Sequence, residues 1–331
     1  MKVTVIGDGG WGTALALLLN SYGHAVTVWG PFADYLDQVR AARENTKFLP
    51  GVKLPESIAF TADPIEAAAA AECFVLASPS KFYADVCRKF KGQVSDSQLV
   101  VSVTKGLDEE CHSRMSVIAQ DILGVKNVVV LSGPSHAEEV ARFLPTAVVA
   151  ACGNLRRAEK AQKLFSGPRF RVYTSTDPLG AELGGAVKNV LAVAVGVSDG
   201  MGFGDNTRAA LIARGLAEMT RFGVALGARP ETFTGLSGIG DLVVTCCSRH
   251  SRNHTVGERL GKGEKIEDIL AGMQMVAEGV WNSHIVHDMA CGMDVEMPIS
   301  SLVHKFCDEG MSPQAAVESL MGRACKPEKG Y

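Results

Sequence analysis

Apolar and polar positions along the chain fall into two textures. Val3-Thr4-Val5-Ile6 is a short β-rich run that ends in glycines, and Gly12 to Asn20 then reads as an apolar helix of Ala and Leu. After the turn residues Tyr22-Gly23-His24, Ala25-Val26-Thr27-Val28-Trp29 supplies a second strand and completes a βαβ unit of about 30 residues. Short apolar runs recur at Cys73–Ala77, Leu99–Val103, Val128–Leu131 and Ala147–Ala151, with helical or polar segments between them. Such alternation predicts an α/β half with a mostly parallel, doubly wound sheet, for which Phe170–Thr174 reads as the last strand. After Asp177-Pro178 the β-rich runs thin out, and Ala181–Val197, Thr207–Leu226, Ile266–Leu270 and Gly279–Gly292 read as helices. The pattern predicts a sheet domain over 1–177 and an all-helical domain over 178–331, and 331 residues suffice for two cores. Ala67–Ala71 suits a packed helix, Met273 and Met275 read as core filler, and the tail Lys326–Tyr331 is expected to fray.

Composition narrows the function classes. Lys+Arg 33 against Asp+Glu 36 gives a formal charge of -3, so no global positive field exists to hold nucleic acid or an anionic membrane, and an anionic partner must be small and locally bound. The nine cysteines are an odd count with no C-x-x-C pair, and Cys246 and Cys247 are adjacent and poorly placed to bridge each other. A reduced, cytoplasmic chain is expected. No apolar run approaches the ~18 residues of a spanning helix, so stable membrane insertion is not expected. His250 with His254, and His284 with His287, have helical spacing but lack a nearby Glu or Cys, and no metal is expected.

Five places carry candidate chemistry. Gly7-Asp8-Gly9-Gly10-Trp11-Gly12 satisfies G-x-G-x-x-G directly after a strand and before a helix, the context a dinucleotide site requires. Gly7 permits the tight turn, Gly9 lets the backbone approach a pyrophosphate, and Gly12 allows close helix–sheet packing, which makes the first domain Rossmann-type. The end of the second strand reads Trp29-Gly30-Pro31-Phe32, so the acid that usually reads the ribose diol is missing there. Asp34 comes too late for a sure assignment, and no Arg stands between Trp29 and Tyr35 to grip a 2′-phosphate. NADP is slightly favoured over NAD, because no carboxylate would repel that phosphate. Thr104-Lys105-Gly106 and Gly133-Pro134-Ser135-His136-Ala137 each follow a strand and belong where carboxyl ends form the ligand crevice; ordinary loop chemistry stays open for both. Lys188 stands in a helix apolar on nearly every side, where burial lowers a lysine pKa toward a proton donor's range; a snorkelling or salt-bridged lysine is the alternative. Finally, Gly235–Thr245 reads as a flexible glycine segment delivering Asp241, which could orient a lysine. It leads to Ser251-Arg252-Asn253, a polar turn whose guanidinium and amide suit a phosphate, although each residue alone also reads as solvated loop.

These motifs, in order and spacing from about Lys2 to Gly322, resemble the bacterial NAD(P)-dependent glycerol-3-phosphate dehydrogenases. The resemblance implies reversible reduction of dihydroxyacetone phosphate to sn-glycerol 3-phosphate, which feeds phospholipid synthesis, by a homodimer using NAD(P)H. It implies cofactor contacts at Gly10, Trp11, Lys105, Ala137 and Arg252, with Val276 and Glu278 as a distal pair. It implies Lys188 as the proton-transfer residue, and substrate contacts at Lys105, Gly133, Ser135, Lys188, Asp241, Ser251, Arg252 and Asn253. Many members carry His or Arg just after the second strand, where this chain has Pro31. Two other readings are a reductase of the same two-domain type, acting on ketopantoate or 3-hydroxyisobutyrate, and a dinucleotide-sensing module without turnover.

Overall fold

The computed structural model describes residues 1–273, 276–325 and 327–328. Met275 and, in the tail, Lys326, Lys329, Gly330 and Tyr331, on which sequence expectations fell, lie outside the described residues. The chain forms two compact units, one of Met1–Asp108 with Ser113–Pro178 and one of Glu109–His112 with Leu179 onward.

The first unit is an eight-stranded sheet: β1 (Lys2–Ile6), β2 (Ala25–Trp29), β3 (Ala59–Thr61), β4 (Cys73–Leu76), β5 (Leu99–Ser102), β6 (Val129–Ser132), β7 (Thr146–Ala151) and β8 (Phe170–Ser175). Its order is β3-β2-β1-β4-β5-β6-β7-β8, with every neighbouring pair parallel except β6 and β7. The central strands β4, β5 and β6 are buried on both faces, which is why they read as near-continuous apolar runs, whereas the edge strand β8 alternates buried Phe170 and Val172 with exposed Arg171 and Tyr173. Val3, Val5, Cys73, Val75, Leu99 and Val101 enter one core with Leu15, Leu18 and Leu19 of the helix Gly10–Ser21. The intervening Ile6, Phe74, Leu76 and Val100 enter the other, with Tyr83 and Cys87 of the helix Ser80–Lys89 and Met115 of Met115–Leu123. The three-residue β3 was not anticipated; it is too short for its own pattern to carry, and pairing of Thr27 with Ala59 recruits it to the edge of β2.

The second unit is helical around Pro178–Gly200. That helix is long and apolar enough to cross a membrane, yet all its residues from Gly180 to Ser198 are buried. Its C-terminal half meets the helix Arg252–Gly261 through glycines: a Cβ on Gly257 would fall on the Val193 carbonyl, and one on Gly196 on the His254 carbonyl. Two expectations need correction here. The glycine segment is not a flexible loop, because Leu236–Gly240 forms a π-helical turn running into the helix Asp241–Cys247. Tertiary contact overrides glycine's poor helix propensity, since bare Gly184 admits the Ser237 carbonyl. Nor are Arg252 and Asn253 in a turn: they open the helix Arg252–Gly261, whose N-cap Ser251 accepts from the His254 amide at 3.2 Å.

Candidate active site

In the first unit the candidate residues gather at the carboxyl ends of β1, β4, β5 and β6. The strand order reverses between β1 and β4, which is where open α/β sheets take ligands. Gly7 leaves β1 at φ +126°, a conformation L side chains rarely adopt, and its amide donates to the Trp29 carbonyl at 2.9 Å. A Cβ on Gly12 would strike the Gly7 carbonyl, whereas one on Gly9 would meet open space. Gly9 caps the helix Gly10–Ser21 with no side chain over the amides, so the helix N-terminus is presented bare. Ala137 lies beside Gly10, 3.9 Å from where a Cβ of Gly10 would sit. The Lys105 ammonium donates to the Gly133 carbonyl at 3.0 Å and to Ser135 Oγ at 3.4 Å, and Ser135 donates to the same carbonyl at 2.9 Å. Asn45 closes the loop from outside, donating to the Asp8 carbonyl and to Thr13 Oγ1, both at 2.7 Å.

A dinucleotide fits this cradle. Beyond the bare helix N-terminus and the room at Gly9, the buried Asp8 Oδ2, Trp11 Nε1 and Ser78 Oγ have no hydrogen-bond partner among the described residues, and buried polar atoms call for one. The Asp8 carboxyl occupies the space beside Gly30, so the sequence-based premise that no carboxylate stands at the end of β2 does not hold. Burial pushes the Asp8 pKa up, while its own backbone amide and the Lys47 charge pull the other way.

In the second unit Lys188, 6% exposed, is ion-paired with Asp241 and donates to Thr245 Oγ1 at 2.8 Å. Burial alone disfavours the ammonium, but a carboxylate in direct contact favours it, so the environment holds two opposed tendencies rather than one. Thr245 was missed. It stands four residues after Asp241 on the same helix, a spacing that faces the lysine only once the segment is helical. Cys246, beside it, is held as a thiol by burial. Asn253, buried, donates to Asn189 Oδ1 and accepts from the Gly279 amide, both at 2.9 Å. Arg252 is exposed at the first turn of its helix and donates to the Val276 carbonyl at 2.8 Å, and Glu278 opens the helix Glu278–Gly292 two residues on. Lys188 with Asp241 and Thr245, Asn253 with Asn189 and Gly279, and Arg252 with Val276 thus form three hydrogen-bonded groups within one unit, adjoining along the chain at Lys188-Asn189 and Arg252-Asn253. Of the histidines, His254 pairs with Asp199 at 2.7 Å and His287 stacks on His304 at 4.3 Å.

A glycine loop of this geometry on a doubly wound sheet defines a dinucleotide-linked oxidoreductase, and a buried lysine paired with a carboxylate suits its proton chemistry. Family models described as the NAD-dependent glycerol-3-phosphate dehydrogenase N-terminus and C-terminus match residues 2–158 and 177–318. The chain is 44% identical over 334 residues to a glycerol-3-phosphate dehydrogenase (NAD(P)+) of Chlorobium phaeobacteroides, covering 100% of each. It is 46% identical over 325 residues to that of Bacillus subtilis, covering 97% of this chain and 94% of the other. The crystal structure of glycerol-3-phosphate dehydrogenase from Coxiella burnetii superposes with TM-score 0.93 at 37% identity, over 97% of this chain and 99% of that one. The chain belongs to the NAD-dependent glycerol-3-phosphate dehydrogenase family. A ketopantoate reductase from Ralstonia eutropha, with TM-score 0.60 and 14% identity over 97% of this chain and 100% of that one, shares the fold alone.

Proposed function

We propose that this chain interconverts dihydroxyacetone phosphate and sn-glycerol 3-phosphate with NAD(P)H, and that Lys188 is its proton donor and acceptor. The reaction rests on family membership; the role of Lys188 rests on its burial against Asp241 and Thr245. Residues 1–177 hold the dinucleotide and residues 178–331 carry the proton-transfer group. Gly7, Gly9, Gly10, Trp11 and Gly12 receive the pyrophosphate at the helix N-terminus, with Lys105, Ala137, Arg252, Val276 and Glu278 as further cofactor contacts. Bound there, the reduced nicotinamide supplies the hydride for the ketone carbon. Lys188 gives its proton to the carbonyl oxygen, and Asp241 and Thr245 hold the Nζ in place. The same group gives the proton in reduction and takes it back in oxidation, since the reverse reaction passes through the same transition state. Arg252 binds the substrate phosphate through its planar fork beside a helix N-terminus, with Asn253 adding an amide donor and Ser251 fixing the cap. Gly133, Ser135 and Lys105 complete the substrate contacts. The same reading makes the protein a cytoplasmic homodimer supplying glycerol 3-phosphate for phospholipid synthesis; the nine free cysteines support a reducing compartment.

The test is NAD(P)H oxidation with dihydroxyacetone phosphate, dihydroxyacetone and ketopantoate as substrates. Turnover of the phosphorylated ketone, with kcat/KM collapsing when the phosphate is removed, is the expected result. Preference for ketopantoate, or no turnover at all, contradicts the proposal.

A further inference from the structure

Dinucleotide folds usually place an acid at the end of the second strand to accept from the ribose hydroxyls. Here β2 ends at Trp29 and the next residue is Gly30. The space a side chain would occupy there is taken by another residue: a Cβ on Gly30 would lie 2.5 Å from Asp8 Cγ and 2.6 Å from Asp8 Oδ2. Glycine at position 30 and aspartate at position 8 are thus complementary, with the acid supplied from within the glycine loop instead of from the strand. Asp8 Oδ2 is buried and has no hydrogen-bond partner among the described residues. The neighbouring groups leave that oxygen unclaimed. Tyr35 spends its hydroxyl on Asn45 Oδ1 at 2.5 Å, and the Lys47 ammonium lies over the rings of Phe48 and Tyr35, 4.9 and 6.0 Å from their centroids. A buried acceptor in such surroundings is matched by hydroxyl donors and opposed by a second anion.

We propose that Asp8 sets the cofactor preference of this enzyme: its carboxylate accepts hydrogen bonds from the vicinal hydroxyls of the adenosine ribose and repels the 2′-phosphate of NADP. The proposal deepens the dinucleotide-binding reading of the glycine loop, on which it rests, and it reverses the slight NADP preference that the bare end of β2 suggests. Lys47 is the one cation among the described residues whose charge acts on the Asp8 carboxyl, and it is the competing explanation, since an ammonium could instead receive a 2′-phosphate.

The experiment is equilibrium fluorescence titration of the full chain with NADH and with NADPH, followed by competition with ADP-ribose and its 2′-phosphate, for wild type, Asp8→Asn, Asp8→Ser and Lys47→Met. Wild type is expected to bind NADH about tenfold or more tighter than NADPH, the scale at which a like-charge contact acts. Both Asp8 variants should lose most of that ratio, chiefly because NADPH binds more tightly, a gain that a misfolded variant cannot produce. Lys47→Met should leave the preference for NADH in place. A wild-type preference for NADPH, an unchanged ratio in both Asp8 variants, or selective loss of NADPH binding in Lys47→Met would overturn the assignment. Failure of wild type to bind either dinucleotide would instead sink the underlying reading, and the proposal with it.

Discussion

Lys188 and Asp241 are 6% and 1% exposed, so each is the other's answer to the cost of burying charge. Truncation of one partner strands the other. Asp241→Ala should therefore destabilise the fold by about 3–5 kcal/mol. Lys188→Met, despite its well-matched apolar stem, should also lose stability, because a carboxylate is left facing a thioether. The double variant Lys188→Met/Asp241→Asn should recover much of the loss, and urea unfolding of both singles and the double closes the cycle. Strictly additive losses would show that the pair is not coupled. Thr245 contributes a second acceptor to the ammonium at 2.8 Å, which narrows the orientation in which Nζ can present a proton.

Between elements, contact is made by missing side chains and by one remote carboxylate. Gly196 and Gly257 let the buried helix Pro178–Gly200 touch Arg252–Gly261 backbone to backbone. Gly257→Val should force the two apart, costing roughly 1–3 kcal/mol. Because Arg252 and Asn253 ride on the displaced helix, KM for dihydroxyacetone phosphate should rise in steady-state assays; an unchanged KM would detach that helix from the substrate. Glu218, on Asp205–Ala225, accepts from the Ile299 and Ser300 amides at 2.7 and 3.1 Å and so caps the helix Pro298–Asp308 from a distance. Burial pushes its pKa from the ordinary 4.5 up to about 7 against those hydrogen bonds. The folded state then binds more protons than the unfolded chain between those values, so this group's contribution to stability falls as pH rises from about 4.5 to about 7, by roughly 3 kcal/mol. Wild type minus Glu218→Gln in pH-dependent unfolding isolates that slope, and parallel curves would contradict it.

At the scale of the whole molecule, the sheet unit was legible because its information is local. β4, β5 and β6 are near-continuous apolar runs, β8 alternates buried Phe170 and Val172 with exposed Arg171 and Tyr173, and the glycine loop sits at its strand–helix junction as six consecutive residues. The helical unit was legible only where apolar helices are long. Leu236–Gly240 and the helix after it read as loop because glycine is a poor helix former and its compensation, the Ser237 carbonyl seated on Gly184, is made with a helix far back along the chain. The helices Pro298–Asp308 and Pro313–Met321 did carry a local signal, a proline at the first helical position, that periodicity alone passes over. Asp241 was readable as a partner for a lysine, Thr245 was not, and Asp8 was hidden inside a motif usually read for its glycines. Proton transfer by Lys188 is tested most directly by the kcat of dihydroxyacetone phosphate reduction by Lys188→Met, with NADH binding titrated on the same folded preparation. Lys188→Met should lose about 10²–10⁴-fold in kcat and retain NADH binding, since the glycine loop belongs to the other unit. Turnover near that of wild type would contradict that role and leave Lys188 a structural ion-pair partner.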